Sequence, residues 1–183
     1  MNKKIFLSIL ILFVFTFLIK NDDKLSVNTE KQDFILSESI QWVSLDEASQ
    51  LAEKSGKKIL VDIYTHWCGW CKIMDQKTYT NLEVVKYINS KYIAVKLNAE
   101  TTDSLVYKGV KFGFNQQKRA NQLAYLLLNG KMSYPSTVIL NEKSEILTPI
   151  AGFIEPQIML KVLKYYGENY HLSMKWEEFE KLN

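Results

Sequence analysis

The stretch Lys58-Ile59-Leu60-Val61-Asp62-Ile63-Tyr64-Thr65-His66-Trp67-Cys68-Gly69-Trp70-Cys71-Lys72 decides how the rest of the chain is read. Its first seven residues are a continuous β-rich run with one internal acid, the mark of a strand covered on both faces of a mostly parallel sheet. Two cysteines follow at once, and a helical pattern then runs to about Tyr79. A buried strand that feeds the start of a helix brings the first sulfur to unpaired backbone N–H groups, where the dipole favours negative charge. Cysteine attacks as its thiolate, so a thiol at that point ionises more readily than a free one. The spacing places Cys71 one turn on and close enough to bridge. Cys68 is expected to be the nucleophile and Cys71 the resolving thiol.

These are the only two cysteines among 183 residues. Zinc wants four ligands, and the chain adds only His66 and His171, with no second Cys-x-x-Cys, so no metal is expected. A purely structural bridge is the other bland reading. Closing so short a loop removes little chain entropy and stabilises weakly. Reactivity explains the pair better.

Composition sets the frame. The chain is 47% apolar and 23% charged, ordinary for one packed domain. Its net charge of +3 is carried by lysines interspersed with acids, and Arg119 is the single arginine. Without a basic stripe or arginine forks, nucleic-acid binding is not expected. Asn2-Lys3-Lys4 precedes an apolar run from Ile5 to Ile19, broken by Ser8 and Thr16 and closed by Lys20-Asn21-Asp22-Asp23. About 15 apolar residues suit the core of a signal peptide and fall short of the roughly 20 that span a bilayer. No small-x-small cleavage pattern follows. Residues 1–20 are therefore read as an export signal or as an N-terminal membrane anchor, and both readings stand. Either directs the rest of the chain to a non-cytosolic compartment, periplasmic or tethered at the membrane. Residues 21–39 read as a linker and 40–183 as the folded domain with a C-terminal helical tail.

Within that domain, Ile40 to Val43 is a short first strand. Ser44 with Glu47 forms a capping box ahead of a helix that Gly56 ends. After the cysteines, Asn81 to Ile88 continues helically and Tyr92 to Leu97 is a strand. Gln116 to Leu128 is expected to be a helix ending at Asn129-Gly130. Ser136 to Leu140 and Glu145 to Ile150 are strands joined by a turn at Asn141-Glu142-Lys143-Ser144. A last helix begins at Pro156 and runs to about Tyr166. Leu172, Trp176 and Phe179 make an apolar stripe in the tail that is expected to pack on the domain. The order β-α-β-α-β-α-β-β-α predicts an α/β fold: a mixed sheet, parallel early and antiparallel in the C-terminal hairpin, flanked by helices.

Three separated segments carry a family resemblance. Ile59 to Lys72 is similar to the active-site segment of the thioredoxin family, with Trp-Cys-Gly-x-Cys-Lys intact. Tyr134-Pro135-Ser136-Thr137 resembles that family's cis-proline loop, and Lys96-Leu97-Asn98 its central-strand segment. Gly152 falls where the family places a glycine near the site. The match runs from about Ile40 to Glu168. Trp42 and the Gly-Trp dipeptide look most like an exported thioredoxin-related branch of bacteria.

The resemblance implies roles and a thioredoxin fold. Asp62 matches the buried acid that moves the proton of Cys71, and a carboxylate inside an apolar strand is expected to have a raised pKa on physical grounds alone. Lys96 matches the lysine beside that acid, and a solvated strand lysine is the plain alternative. Tyr134 and Pro135 are expected to border the disulfide, with Tyr134 offering its backbone to an extended substrate. Trp67, Gly69 and Trp70 surround the sulfurs, where exposed aromatic surface suits peptides. Trp70 is the departure, because reducing members commonly carry proline there. Residues between the cysteines tune potentials over about 150 mV. Residues 101–130 exceed what thioredoxin has, as part of a substrate groove or as a neutral insertion.

The expected function is disulfide reduction in proteins outside the cytosol, with no cofactor beyond the Cys68–Cys71 couple and a membrane dithiol donor as electron source. An oxidase or isomerase, or a redox-idle peptide-binding module, is the alternative.

Overall fold

The computed structural model describes residues 39–182. The export segment 1–20 and nearly all of the 21–39 linker lie outside them. In chain order the strands are β1 (Trp42–Val43), β2 (Lys58–Tyr64), β3 (Tyr92–Asn98), β4 (Leu105–Tyr107), β5 (Val110–Phe112), β6 (Phe114–Asn115), β7 (Ala120–Asn121), β8 (Ser136–Leu140) and β9 (Ile146–Ala151). The helices are α1 (Leu45–Ser55), α2 (Gly69–Lys77), α3 (Leu82–Lys91), α4 (Gln122–Leu127), α5 (Pro156–Gly167) and α6 (Trp176–Leu182). Five strands form one sheet in the order β1-β3-β2-β8-β9. β1, β3 and β2 run parallel, whereas β8 and β9 are antiparallel. This is the mixed sheet expected, with helices on both sides.

β2 lies at the centre because it can be covered on both faces. Ile59, Val61 and Ile63 point to one side, where they cluster with Leu45, Ala48 and Ala52 of α1 and with Leu123, Ala124 and Leu127 of α4. Leu60 points to the other, with Met74 of α2, Val84, Val85 and Ile88 of α3, and Met159 and Leu163 of α5. Successive strand residues alternate, so Asp62 shares the face of Leu60 and enters the layer roofed by α2, α3 and α5.

Local signals set the helix ends. The Glu47 N–H donates to Ser44 Oγ at 3.2 Å, and α1 stops at Gly56, whose φ of 69° lets its N–H reach the Ala52 carbonyl at 2.8 Å. Asn141 Oδ1 accepts from the N–H groups of Lys143 and Glu145 and closes the β8–β9 turn.

Three expectations are corrected. The helix after the cysteines does not continue through Asn81: the Asn81 side chain accepts from the N–H groups of Glu83 and Val84, which needs an extended backbone and starts a separate helix. The helix expected over 116–128 is only Gln122–Leu127. Asn121 is fully buried, donates to the carbonyls of Thr101 and Asp103, and accepts from the Leu123 N–H, so it pins the start, while the preceding residues form hairpin β6–β7. In the tail, Phe179 is buried and Trp176 meets Tyr165 edge-on at 5.3 Å, but Leu172 lies in a 3-10 turn and is 77% exposed, so it is not part of the packed stripe.

A Cβ added at Gly56 meets nothing within 4 Å, so only its left-handed backbone demands glycine. Gly56→Ala is expected to lower stability by about 1 kcal/mol, and Gly56→Asn by less. Urea denaturation of the pair checks this; equal losses for the two would point to packing instead.

Candidate active site

The last turn of buried strand before α2 carries the chain to Cys68. This residue is the N-cap of α2, with an extended backbone, and its Sγ accepts from the Cys71 N–H at 3.0 Å. The first sulfur thus sits where the helix's unpaired N–H groups and positive dipole end converge. Cys68 and Cys71 are joined as a disulfide across a Cα separation of 5.3 Å. Both are 4% exposed, whereas Trp67 and Trp70 are 67% and 60% exposed. A Cβ at Gly69 would meet nothing within 4 Å, so this position adds only open surface.

A groove of about 280 Å³ is lined by Trp70, Tyr134, Pro135, Gly152 and Phe153. The Tyr134–Pro135 peptide is cis, and Gly152, at φ 95°, donates its N–H to the Pro135 carbonyl at 2.8 Å. Trp70 packs on Phe153 with ring centroids 5.7 Å apart, and Trp67 meets Tyr134 edge-on at 5.9 Å. The structure therefore brings Trp70, Tyr134, Pro135 and Gly152 to one groove and sets Trp67 at its rim. No residue of 101–130 lines it. A second cavity, of about 310 Å³ between Ile150, Ile154, Ile158, Val162, Tyr166 and Trp176, holds no sulfur or acid and is set aside as a place for the chemistry.

Phe153 in the groove was not anticipated from the sequence, and neither were two acids. The Trp67 indole N–H donates to both carboxylate oxygens of Glu100 at 3.0 Å. Glu100 in turn donates its N–H to Asn98 Oδ1, so the only local signal was an asparagine closing β3 two residues before an acid. The other is Asp75 on α2, which bonds the Lys96 ammonium.

Asp62 pairs with Lys96 on β3 and with Thr137 on β8 in the strand register. Its Oδ2 lies 3.1 Å from Lys96 Nζ, and its Oδ1 has no hydrogen-bond partner. Tyr79 OH and Thr137 Oγ1 are likewise buried beside Asp62, and burial first and then the Asp62 charge push the Tyr79 pKa up. Burial pushes the Asp62 pKa up to about 6, against the pull of Lys96 and with a smaller push from Asp75. For Lys96 burial opposes the charge, but Asp62 and Asp75 outweigh it and the pKa is raised. The ammonium also sits 5.1, 5.2 and 5.6 Å from the ring centroids of Trp42, Tyr64 and Tyr79. Among the described residues, no group of three or more His, Cys, Asp or Glu is placed to hold a metal ion, and no helix is long and apolar enough to cross a membrane.

Fold and site together define a thioredoxin-fold protein with a disulfide-forming Cys-x-x-Cys pair at a helix N-terminus. Within that class the chain belongs to the Thioredox_DsbH family, described as a protein of unknown function (DUF255), whose model matches residues 27–156. A solved DsbH oxidoreductase is similar over 71% of this chain and 85% of its own, at 16% identity and a TM-score of 0.54. A thioredoxin-fold protein from Helicobacter pylori matches over 80% and 88%, at 15% identity and 0.56. A putative disulphide-isomerase from Bacteroides thetaiotaomicron matches over 75% and 98%, at 25% identity and 0.52. An uncharacterized Caenorhabditis elegans protein is 28% identical over 75 residues, 39% of this chain, and the match spans a tenth of that protein's length.

The raised Asp62 pKa is also a statement about stability. An acid that binds its proton more tightly in the folded state stabilises the fold below its unfolded value of about 4. That advantage is lost as pH climbs through about 6. Asp62→Asn is expected to be more stable than the parent at pH 8 by on the order of 3 kcal/mol, with the difference fading near pH 4. Guanidinium melts at the two pH values check it; an Asn variant weakened at pH 8 would show that the Lys96 pair dominates.

Proposed function

We propose that the protein is a thiol–disulfide oxidoreductase that reduces disulfides of other proteins outside the cytosol. The observation that carries this reading is Cys68 at the N-cap of α2 with the Cys71 N–H directed at its sulfur. Such a thiol leaves and attacks as a stabilised thiolate. In the reduced enzyme the Cys68 thiolate attacks a substrate disulfide. One sulfur of that disulfide leaves as a thiolate and takes up a proton, and the other is held to Cys68 as a mixed disulfide. Cys71 then gives its proton to Asp62 and attacks Cys68 Sγ. The second substrate sulfur leaves as a thiolate and takes up a proton, and the Cys68–Cys71 disulfide remains.

Two electrons have passed to the substrate, and a dithiol donor must return them. The sulfurs carry both electrons, so no bound organic group or metal enters the steps. Tyr134, Pro135, Gly152, Trp67 and Trp70 would receive the substrate chain beside the disulfide. The apolar run from Ile5 to Ile19 supports export, or tethering, and with it a donor held in the membrane.

A second reading, isomerase or oxidase, is favoured by the likeness to the putative disulphide-isomerase and by Trp70 in the place where reducing members carry proline. Equilibration with glutathione separates the two. A potential near about −270 mV supports the reductase, and one near about −120 mV the oxidant.

In an insulin-reduction assay, Cys68→Ser is expected to lose all but about a thousandth of the activity, since the attacking group is gone. Cys71→Ser should instead accumulate a mixed disulfide visible by mass spectrometry. Retained turnover in Cys68→Ser rejects the assignment.

A further inference from the structure

The Lys96 ammonium is shared. It reaches Asp62 Oδ2 at 3.1 Å on one side and bonds Asp75 Oδ1 on the other. Side-chain exposure rises along this line, from 3% at Asp62 to 25% at Lys96 and 40% at Asp75. The rings of Trp42, Tyr64 and Tyr79 confine the ammonium laterally. Asp75 stands four residues after Cys71 on α2, so it lies on the same helix side one turn on and ties the sulfur-bearing helix to β3.

We propose that Asp75 is a positioning residue that draws Lys96 toward the surface, leaving the buried Asp62 carboxylate incompletely neutralised and linked to solvent through one ammonium. The inference rests on the reading above, in which Asp62 accepts the Cys71 proton. Asp62 Oδ1 has no hydrogen-bond partner, so Lys96 is the one cation paired with the carboxylate and the main group that favours its ionised form, with a smaller contribution from the Tyr79 hydroxyl. Were that ammonium devoted to Asp62, the pair would hold the carboxylate ionised and poor at taking a proton. A second carboxylate on the same ammonium weakens that hold and adds like-charge repulsion. The groups acting on Asp62 are Lys96 from β3, Asp75 from α2 and the Tyr79 hydroxyl after α2, with Thr137 opposite on β8. Asp75 is the one acid among them. It is also the group nearest to water, which suits it to pass a proton outward once Asp62 has received it.

The test is the titration of the Asp62 carboxyl by carbon-13 NMR in the oxidised protein, without substrate. Asp75→Asn is expected to weaken its proton affinity about tenfold, moving the midpoint down by about one pH unit. Asp75→Glu should restore it. In the reduced enzyme the acid limb of the insulin-reduction profile should move down with it, at unchanged KM. A midpoint that stays put in a folded Asp75→Asn protein overturns the proposal, because a structural role alone would lower the melting temperature without moving the titration. Asp75→Ser carries the same test if the Asn variant does not fold. The carboxyl titration needs no turnover, so an inactive protein whose midpoint still moves would reject disulfide exchange and leave the shared ammonium standing.

Discussion

The Cys71 N–H can point at the Cys68 sulfur only because β2 ends where it does. A strand buried on both faces cannot wander: all seven of its residues pair with β3, and Ile59 to Ile63 are also held by β8 on the other side. At Tyr64 the chain leaves the sheet, and Cys68, whose N–H donates to the Thr65 carbonyl, becomes the cap of α2. The donor that favours a thiolate is therefore part of the scaffold and needs no rearrangement when charge develops. Everything else in the site is arranged around a position that the central strand has already set.

The same strand carries a conflict. Leu60 and Asp62 share one face, and the layer that receives Leu60 is apolar. A carboxylate placed there is costly to ionise, and one lysine with no further hydrogen bond to Asp62 Oδ1 does not fully offset that. A fold selected for stability alone would place an apolar or amide side chain at 62. A group poised to exchange a proton must be nearly balanced between its two forms, and imperfect solvation is how that balance is reached. Local destabilisation and the proposed chemistry have one physical source.

How far this was legible in the sequence depends on the range of the interaction. β2, the caps at Ser44 and Gly56, the turn at Asn141 and the Pro156 helix start all follow from residues within a few positions of one another, and they fall where the pattern puts them. Tyr134-Pro135 and Lys96 were readable through resemblance, and the register then sets Lys96 opposite Asp62. What escaped depends on distant partners. Asn121 was read as the interior of a helix, because nothing nearby in the chain announces that it bonds the carbonyls of Thr101 and Asp103. Asp75 and Glu100 look like ordinary surface acids until Lys96 and Trp67 are brought beside them from other elements. Leu172 kept helical spacing with Trp176 and Phe179, yet the chain turns before α6 and leaves it outside.

The contrast between buried sulfurs and exposed tryptophans bears on selectivity. In the proposed exchange, a substrate disulfide approaching Cys68 would displace water from the groove beside Trp70 and Phe153, and burying aromatic surface would supply binding without regard to sequence. Trp67 is different, since its indole N–H is held by Glu100 and its ring by Tyr134. One tryptophan is thereby anchored at the cis-proline side, while the other leans on Phe153 next to Gly152. In the proposed exchange, then, affinity comes from a broad aromatic surface and reactivity from the helix terminus. The two are only partly separable: Tyr134 and Phe153 come from the loops around β8 and β9, but Trp67 and Trp70 flank Cys68 at the junction of β2 with α2, so the element that sets the reactive sulfur also carries half of the aromatic surface.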